Sequence, residues 1–144
     1  MKGNHNSIIG KVGEIIAENF LLQEGFKILC KNYRTRYGEI DIICKKNYGL
    51  YFFEVKSRIN DDLVKPFESV NKKKIERIIK TAYYFLRENN GYIDNNEINV
   101  KIISITFGDN LSTAISLMRD PLILDYNKIK KGGDYRIEIL DIYE

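Results

Sequence analysis

The chain of 144 residues has the length of one domain, and its composition, 44% hydrophobic and 30% charged, is that of a globular protein able to bury a core. Two cysteines without CxxC spacing and a single histidine, His5, exclude a Cys/His zinc site and argue against histidine-based catalysis. The net charge of +3 permits an anionic partner without requiring one, and no apolar run has the length of a signal peptide or membrane span, so we expect a cytoplasmic protein with no membrane partner.

The first part of the chain predicts one helix and three strands. Apolar residues at helical spacing predict an amphipathic helix over 7–24, with Ser7 as its N-cap and Gly25 just past its end. Alternating side chains predict a strand over 26–33, and the following run NYRTRYG is typical of a loop. Two further strands, joined by the polar link KKNYG, are predicted at about 39–44 and 50–57.

The rest of the chain predicts a loop at 57–68, a second helix over 69–89 and a strand over 98–107. The element order αβββαβ indicates an α/β domain in which helices flank a mixed central sheet. We expect this domain to occupy residues 1–110. Residues 111–144 are expected to form a C-terminal extension packed on the same domain, with a short helix at 111–118 and a final strand in KKGGDYRIEILDIYE.

The two strands around KKNYG carry acidic residues at positions where core strands are apolar. If they form a hairpin centred near Asn47 and Tyr48, the numbers of paired residues sum to about 95. One face then carries the apolar pairs Ile40–Val55, Ile42–Phe53 and Cys44–Tyr51. The other face carries Glu39 opposite Lys56, Asp41 opposite Glu54 and Ile43 opposite Phe52.

This register predicts that Asp41 and Glu54 are like charges in direct contact. Opposed side chains of an antiparallel pair have Cβ atoms about 5 Å apart, so the two carboxylates would repel each other. A divalent cation reverses that repulsion, because Mg²⁺ takes carboxylate oxygens. A solvated polar face is the alternative, with Glu39 and Lys56 as a simple cross-strand ion pair.

Five runs of the sequence resemble the YraN family of small bacterial proteins. They are GEIIAENFLLQEGFKIL, NYRTRYGEIDII, FFEVKSR, SVNKKKIERIIKTAYYFL and NVKIISI, and the resemblance covers about residues 7–107. The family is assigned to the restriction-endonuclease-like superfamily, which includes relatives of Holliday junction resolvases. In this sequence Asp41, Glu54 and Lys56 resemble the PD-(D/E)xK pattern of that superfamily. One departure is Lys101, where the family usually has an aspartate.

The resemblance implies a restriction-endonuclease-like core and a set of site residues. Asp41 and Glu54 would be metal ligands with the backbone carbonyl of Val55, and the metal would be Mg²⁺ or Mn²⁺. Lys56 would stabilise the developing negative charge. Glu14 matches a helix carboxylate that junction-resolving relatives direct at the same site, although a surface glutamate is the alternative, and Glu39 would be an accessory carboxylate or the partner of Lys56.

The basic residues Arg34, Arg58 and Lys74 are the candidates for phosphate contacts. The resemblance therefore implies a Mg²⁺-dependent endonuclease. Its expected substrate is DNA rather than RNA, and branched or structured DNA is included. A homodimer is left open. A non-catalytic nucleic-acid-binding accessory module with the same fold is the alternative, and an interaction domain with a vestigial site is a third hypothesis.

Overall fold

The structure is a computed structural model that describes residues 2–59, 71–89, 97–108 and 135–141. These residues form two helices and five strands, which are α1 Lys2–Gln23, β1 Lys27–Thr35, β2 Gly38–Lys46, β3 Gly49–Ile59, α2 Lys72–Glu88, β4 Glu97–Phe107 and β5 Tyr135–Asp141. The predicted αβββαβ order is confirmed, and the predicted final strand is β5. The predicted helix at 111–118 lies outside the described residues.

Helix α1 begins earlier than the sequence predicts, and Ser7 lies inside it rather than at its N-cap. Once a helix is nucleated, each further residue is added at little cost, so an internal serine does not define its start. The predicted end is confirmed. Gly25 adopts a φ of 90°, and its N–H donates to the carbonyl of Leu22 at 3.2 Å, in the left-handed conformation that glycine adopts most easily.

The five strands form one mixed sheet in the order β1-β2-β3-β4-β5. Strands β3 and β4 are parallel, whereas all other neighbours are antiparallel. Helix α2 lies in the connection between the parallel pair, because parallel strands need a crossover that carries the chain back along the sheet. The architecture is the mixed sheet flanked by helices that the sequence predicts.

Helix α1 covers one face of the sheet and α2 covers the other. The α1 face buries Ile42, Cys44 and Phe53, and the α2 face buries Ile43 and Phe52. The predicted hairpin register is confirmed for five pairs, from Ile42 with Phe53 to the pair next to the turn.

The predicted face of Ile40 is wrong, because Ile40 packs on the α2 face although Ile42 packs on the α1 face. The neighbouring strand β1 changes face at the same level. Its Lys31, paired with Ile42, reaches α1, whereas Tyr33, paired with Ile40, packs on the α2 face. Asn32 lies between them with a φ of 53°, which interrupts the regular alternation of side chains along β1.

The run NYRTRYG is shorter as a loop than the sequence predicts. Strand β1 continues to Thr35, and only Arg36 and Tyr37 connect it to β2. The strand end that leads into this turn contacts α2, because Thr35 Oγ1 lies 3.5 Å from Thr81 Oγ1. The turn is therefore held against the helix by side-chain contacts.

Helix α2 begins after Asn71, whose side-chain oxygen accepts from the N–H of Lys74 at 2.9 Å. Asparagine at this position satisfies a backbone donor that has no partner within the helix. Apolar residues on one side of α2, Ile78, Ala82 and Phe85 among them, are buried against the sheet. The cap fixes the first turn of α2, and that turn carries a lysine toward β3.

Strand β5 pairs with β4 and comes from the region that the sequence assigns to the extension. Tyr135 and Ile137 pack against the core on the α1 face. The division into 1–110 and 111–144 stays a prediction. Neither of the two described helices is long and apolar enough to cross a membrane.

Candidate functional site

The candidate site lies where β2 and β3 stop pairing through their backbones. The ladder ends at Ile42 and Phe53, and the predicted pairs of residues 39–41 with 54–56 do not continue it. Instead, the side chain of Asp41 spans the gap, and its Oδ2 accepts from the Val55 N–H at 2.7 Å. Asp41 therefore joins the two strands in a place where a regular hairpin would have a backbone hydrogen bond.

Asp41 is mostly buried among other carboxylates. Burial, followed by the Glu54 carboxylate, raises the pKa of Asp41 to about 7, with smaller contributions from Glu14 and Glu39. The hydrogen bond from the Val55 N–H acts in the opposite direction. The protonated and ionised forms of Asp41 are thus about equally populated near neutral pH.

Glu14 projects from α1 toward the same region. Burial raises the pKa of Glu14 first, and the carboxylates of Glu39 and Glu54 raise it further, against Lys11 and Lys31. Glu14 and Asp41 both line a cavity of about 220 Å³ between α1 and the strands β1 and β2. The complete lining consists of Lys11, Glu14, Ile15, Glu18, Lys31, Asn32, Asp41 and Ile42.

Glu54 is buried in the middle of β3 and contacts two ammonium groups. Its Oε1 lies 2.9 Å from Lys74 Nζ and 3.5 Å from Lys56 Nζ. The pKa of Lys56 is lowered by burial and by its contact with Lys74, although Glu54 acts in the opposite direction. In Lys74 the contacts with Glu54 and Lys56 outweigh burial and raise the pKa. Two lysines thus share one buried carboxylate.

The remaining predicted residues lie around this centre. Arg34 Nε contacts Glu39 Oε2 at 3.3 Å across β1 and β2, so Glu39 pairs with Arg34 rather than with Lys56 as the hairpin register suggests. Arg58 is half-buried on β3, opposite Thr106 of β4. The structure brings Glu14, Asp41, Glu54 and Lys56 into one electrostatic cluster and leaves Arg34 and Arg58 at its margin.

The contact of Lys74 with Glu54 was not predicted from the sequence. The sequence predicts Lys74 only as a candidate for phosphate contact. It gives no sign of the ion pair, because Lys74 and Glu54 are distant in sequence. The cap at Asn71, three residues before Lys74, is the local signal that places this lysine in a first helical turn. Lys101 pairs with Asp141 of β5, with 3.1 Å between Lys101 Nζ and Asp141 Oδ1.

The cluster has the chemistry of a site for a hard cation, with two carboxylates and a nearby main-chain carbonyl at Val55 as oxygen donors. Mutual repulsion of Asp41 with the nearby carboxylates is a cost that a bound cation would remove. Among the described residues, no three histidine, cysteine, aspartate or glutamate side chains form a group that could hold a metal ion. A cation at this position would have two side-chain ligands, Asp41 and Glu54, and would need water or substrate oxygens to complete its coordination.

Comparison with known proteins identifies relatives along most of the chain. The model of a family described as "Uncharacterised protein family UPF0102" matches residues 13–105. A UPF0102 protein of Clostridium novyi (strain NT) is 46% identical over 97 residues, which are 67% of this chain and 81% of the relative. A UPF0102 protein of Clostridioides difficile (strain 630) is 45% identical over 101 residues, which are 70% of this chain and 87% of the relative.

A longer match is found in a UPF0102 protein of Clostridium perfringens (strain SM101 / Type A). It is 40% identical over 117 residues, which are 81% of this chain and 94% of the relative. The family match includes the cluster residues on α1, β2, β3 and α2, and it ends before β5.

Proposed function

The chain belongs to the UPF0102 family, which is the YraN family, and from that premise we propose that it is a metal-dependent endonuclease that hydrolyses phosphodiester bonds in DNA. The observation that carries the proposal is the pair of the partly buried Asp41 and the buried Glu54, with Lys56 in contact with Glu54, at the point where β2 and β3 separate. Branched or flapped DNA is the proposed substrate.

Asp41 and Glu54, with the carbonyl of Val55, would hold Mg²⁺ or Mn²⁺. A divalent ion at this position supplies Lewis-acid polarisation of the scissile phosphate. The protein contributes the rest of the arrangement: the Val55 N–H fixes the Asp41 carboxylate, and Lys74 fixes that of Glu54. Carboxylates held in this way are preorganised, so less freedom is lost when a ligand binds.

Lys56 is the proposed electrostatic catalyst. Its ammonium group is partly buried beside Glu54, where a positive charge acts on an approaching phosphate more strongly than it would in water. Glu14 lines the adjoining cavity with Asp41 and would contribute a further carboxylate to the site from α1. Arg34 and Arg58, at the margin, are proposed phosphate contacts.

The deciding experiment measures cleavage of labelled four-way-junction, flap, duplex and single-stranded DNA by the full chain with Mg²⁺ or Mn²⁺. Cleavage that disappears with EDTA, with Asp41→Asn and with Lys56→Ala supports the proposal. The matched control is Glu76→Gln on the exposed side of α2, which is expected to cleave like the wild type. Cleavage that persists in Asp41→Asn, or absence of cleavage on all four substrates, contradicts it.

A second candidate, a non-catalytic nucleic-acid-binding module, is favoured by one contact set. Glu54 Oε1 is already neutralised by Lys56 and Lys74, so this carboxylate is stable without a cation. If the wild type binds DNA without cutting it, and Asp41→Asn binds equally well, the module is the better description. Under either function we expect a cytoplasmic protein. Light scattering of the purified chain tests whether it forms a homodimer.

A further inference from the structure

A basic and aromatic surface lies beside the cluster, on the β1–β2 turn and the facing side of α2. We call it the Tyr37 patch, and its members are Arg36, Tyr37, Lys80, Tyr84 and Arg87. None of these residues belongs to the Asp41 and Glu54 site. The patch combines aromatic rings with positive charge, which is the combination used to bind unpaired nucleotides.

Direct contacts hold the patch together. The Arg36 guanidinium lies over the Tyr37 ring at 4.9 Å, and its Nη2 donates to the Tyr37 hydroxyl at 2.8 Å. The Tyr37 and Tyr84 ring centroids are 6.4 Å apart with an interplanar angle of 57°. The rings are therefore neighbours without stacking on each other, and Tyr84 remains 41% exposed.

The charge around Tyr37 is positive. The pKa of Tyr37 is lowered by its hydrogen bond from Arg36, and the charges of Lys80 and Arg87 lower it further, which places both of these side chains within electrostatic reach of the ring. The nearby carboxylate of Glu88 instead accepts from the Tyr33 hydroxyl. The surface thus presents three cations around two aromatic rings.

The turn that carries Tyr37 is held in place before any ligand binds. The Tyr37 N–H donates to Thr35 Oγ1 at 3.1 Å, and Thr35 in turn contacts Thr81 on α2. Because the turn is fixed on the helix, the ordering cost of binding falls on the ligand rather than on the protein. This arrangement is that of a preformed platform.

The patch is close enough to the cluster to share one DNA strand with it. Tyr37 precedes Asp41 by four residues along β2, roughly 13 Å at the rise of a strand. A few nucleotides of an unpaired strand can span this distance. Helix α2 also connects the two places, because it carries Lys74, which pairs with Glu54, and further along Tyr84 and Arg87 of the patch.

We propose that the Tyr37 patch binds unpaired nucleotides of a DNA strand, with Tyr37 and Tyr84 stacking on bases and Arg36, Lys80 and Arg87 contacting phosphates. The inference deepens the proposed function and rests on it, because it names single-stranded segments as the feature that directs this protein to flapped or branched DNA. Double-stranded DNA offers the same phosphates but keeps its bases stacked within the helix.

The test uses fluorescence anisotropy of a labelled dT12 and of a labelled 12-base-pair duplex, with the full chain in EDTA so that no cleavage occurs. We expect the wild type to bind dT12 about tenfold more tightly than the duplex. The double variant Tyr37→Leu/Tyr84→Leu should lose about tenfold in affinity for dT12 and little for the duplex. The triple variant Arg36→Ala/Lys80→Ala/Arg87→Ala should weaken both and reduce the salt dependence.

Two controls separate stacking from damage to the fold. Tyr37→Phe/Tyr84→Phe keeps both rings and should bind dT12 like the wild type. Tyr48→Leu removes a tyrosine that is 78% exposed in the β2–β3 turn, at the opposite end of β2 from the Tyr37 patch, and should have no effect. Equal dT12 binding by the Leu double variant and the wild type overturns the inference, as does an equal loss for dT12 and duplex.

Failure of this inference is distinguishable from failure of the proposed function. If the tyrosine-dependent preference for dT12 is present and no substrate is cleaved, the patch stands and catalysis does not. If cleavage depends on Asp41 while dT12 binding ignores the tyrosines, catalysis stands and the patch does not.

Discussion

Asp41 makes folding sensitive to pH. Burial and the Glu54 carboxylate raise its pKa from 3.8 to about 7, so the folded state holds this proton more tightly than the unfolded chain does. The unfolded state therefore binds fewer protons between about pH 4 and pH 7, and the contribution of this carboxyl to stability is lost as the pH rises through that window. Above pH 7 the folded state is destabilised by the full free energy of holding Asp41 ionised in its partly buried position.

Replacing Asp41 with asparagine should remove the cost. The amide oxygen can still accept from the Val55 N–H, while the negative charge beside Glu54 disappears. We expect Asp41→Asn to raise the free energy of unfolding at pH 8 by about 1 to 3 kcal/mol, with a smaller gain at pH 5. Urea unfolding in EDTA at both pH values measures the effect.

The matched control for this measurement is Glu76→Gln, which neutralises an exposed carboxylate of α2. It should leave the free energy of unfolding within about 0.5 kcal/mol of the wild type. Equal pH dependence of the wild type and Asp41→Asn would show that Asp41 is already ionised without cost in the folded protein.

At the scale of elements, α1 approaches β3 closely at Gly13. A Cβ on Gly13 would overlap Ser57 Oγ and lie 2.9 Å from the Ser57 Cβ, whereas a Cβ on Gly10 would meet nothing within 4 Å. Ser57 lies on β3 next to Lys56, and Gly13 precedes Glu14 on α1. The absence of a side chain at Gly13 therefore lets α1 bring Glu14 close to the site.

Gly13→Ala and Gly10→Ala should have opposite effects. We expect Gly13→Ala to destabilise the protein by about 1 to 3 kcal/mol because α1 must move away from β3. Gly10→Ala should stabilise it by up to about 1 kcal/mol, since alanine is the better helix former. Both are measured by urea unfolding.

A double-mutant cycle with Ser57→Gly assigns the cause, because removing the Ser57 side chain should recover most of the loss in Gly13→Ala. Purely additive changes would mean that the two residues do not meet.

The cap of α2 links helix stability to the site. Asn71→Ala leaves the Lys74 N–H without its acceptor and should cost about 1 kcal/mol of unfolding free energy. Asn71→Ser keeps an acceptor and should recover most of the loss. The same Ala variant should also weaken the hold of Lys74 on Glu54, which nuclear magnetic resonance of the lysine ammonium groups can follow. Unchanged stability in Asn71→Ala would indicate that the first turn of α2 contributes nothing.

At the scale of the whole molecule, β5 closes one edge of the sheet. It pairs with β4 along Lys101–Phe107, and Ile137 packs on the α1 face. Removal of residues 135–144 should expose the backbone of β4 and lower the melting temperature, with aggregation on heating. The matched control removes only residues 142–144. A truncated chain that stays monomeric and melts like the wild type would show that β5 is dispensable for the sheet.

The sequence predicts the elements of this fold better than their exact ends. Element order and the Ile42–Phe53 register were predictable because side-chain periodicity and a short turn determine both. The face of Ile40 was not predictable. The change of face between Ile40 and Ile42 lies opposite Asn32 of β1, and the positive φ of Asn32 has no clear pattern in the sequence.

The candidate site was predictable in its residue types and less so in its contacts. The strand residues Asp41, Glu54 and Lys56 follow from a local motif. The ion pair of Lys74 with Glu54 joins residues that are distant in sequence, and the pairing of Glu39 with Arg34 depends on which strand is the neighbour. Such contacts depend on tertiary packing, which single-sequence patterns do not specify.

The hydrogen bond from Val55 to Asp41 gives the molecule an internal indicator of the site. An ionised carboxylate accepts more strongly than its protonated form, so the chemical shift of the Val55 amide should follow the titration of Asp41. Its exchange with deuterium should accelerate when a ligand draws that carboxylate away. One isotope-labelled amide could therefore report occupancy of the site in solution, with no dye and no substrate turnover.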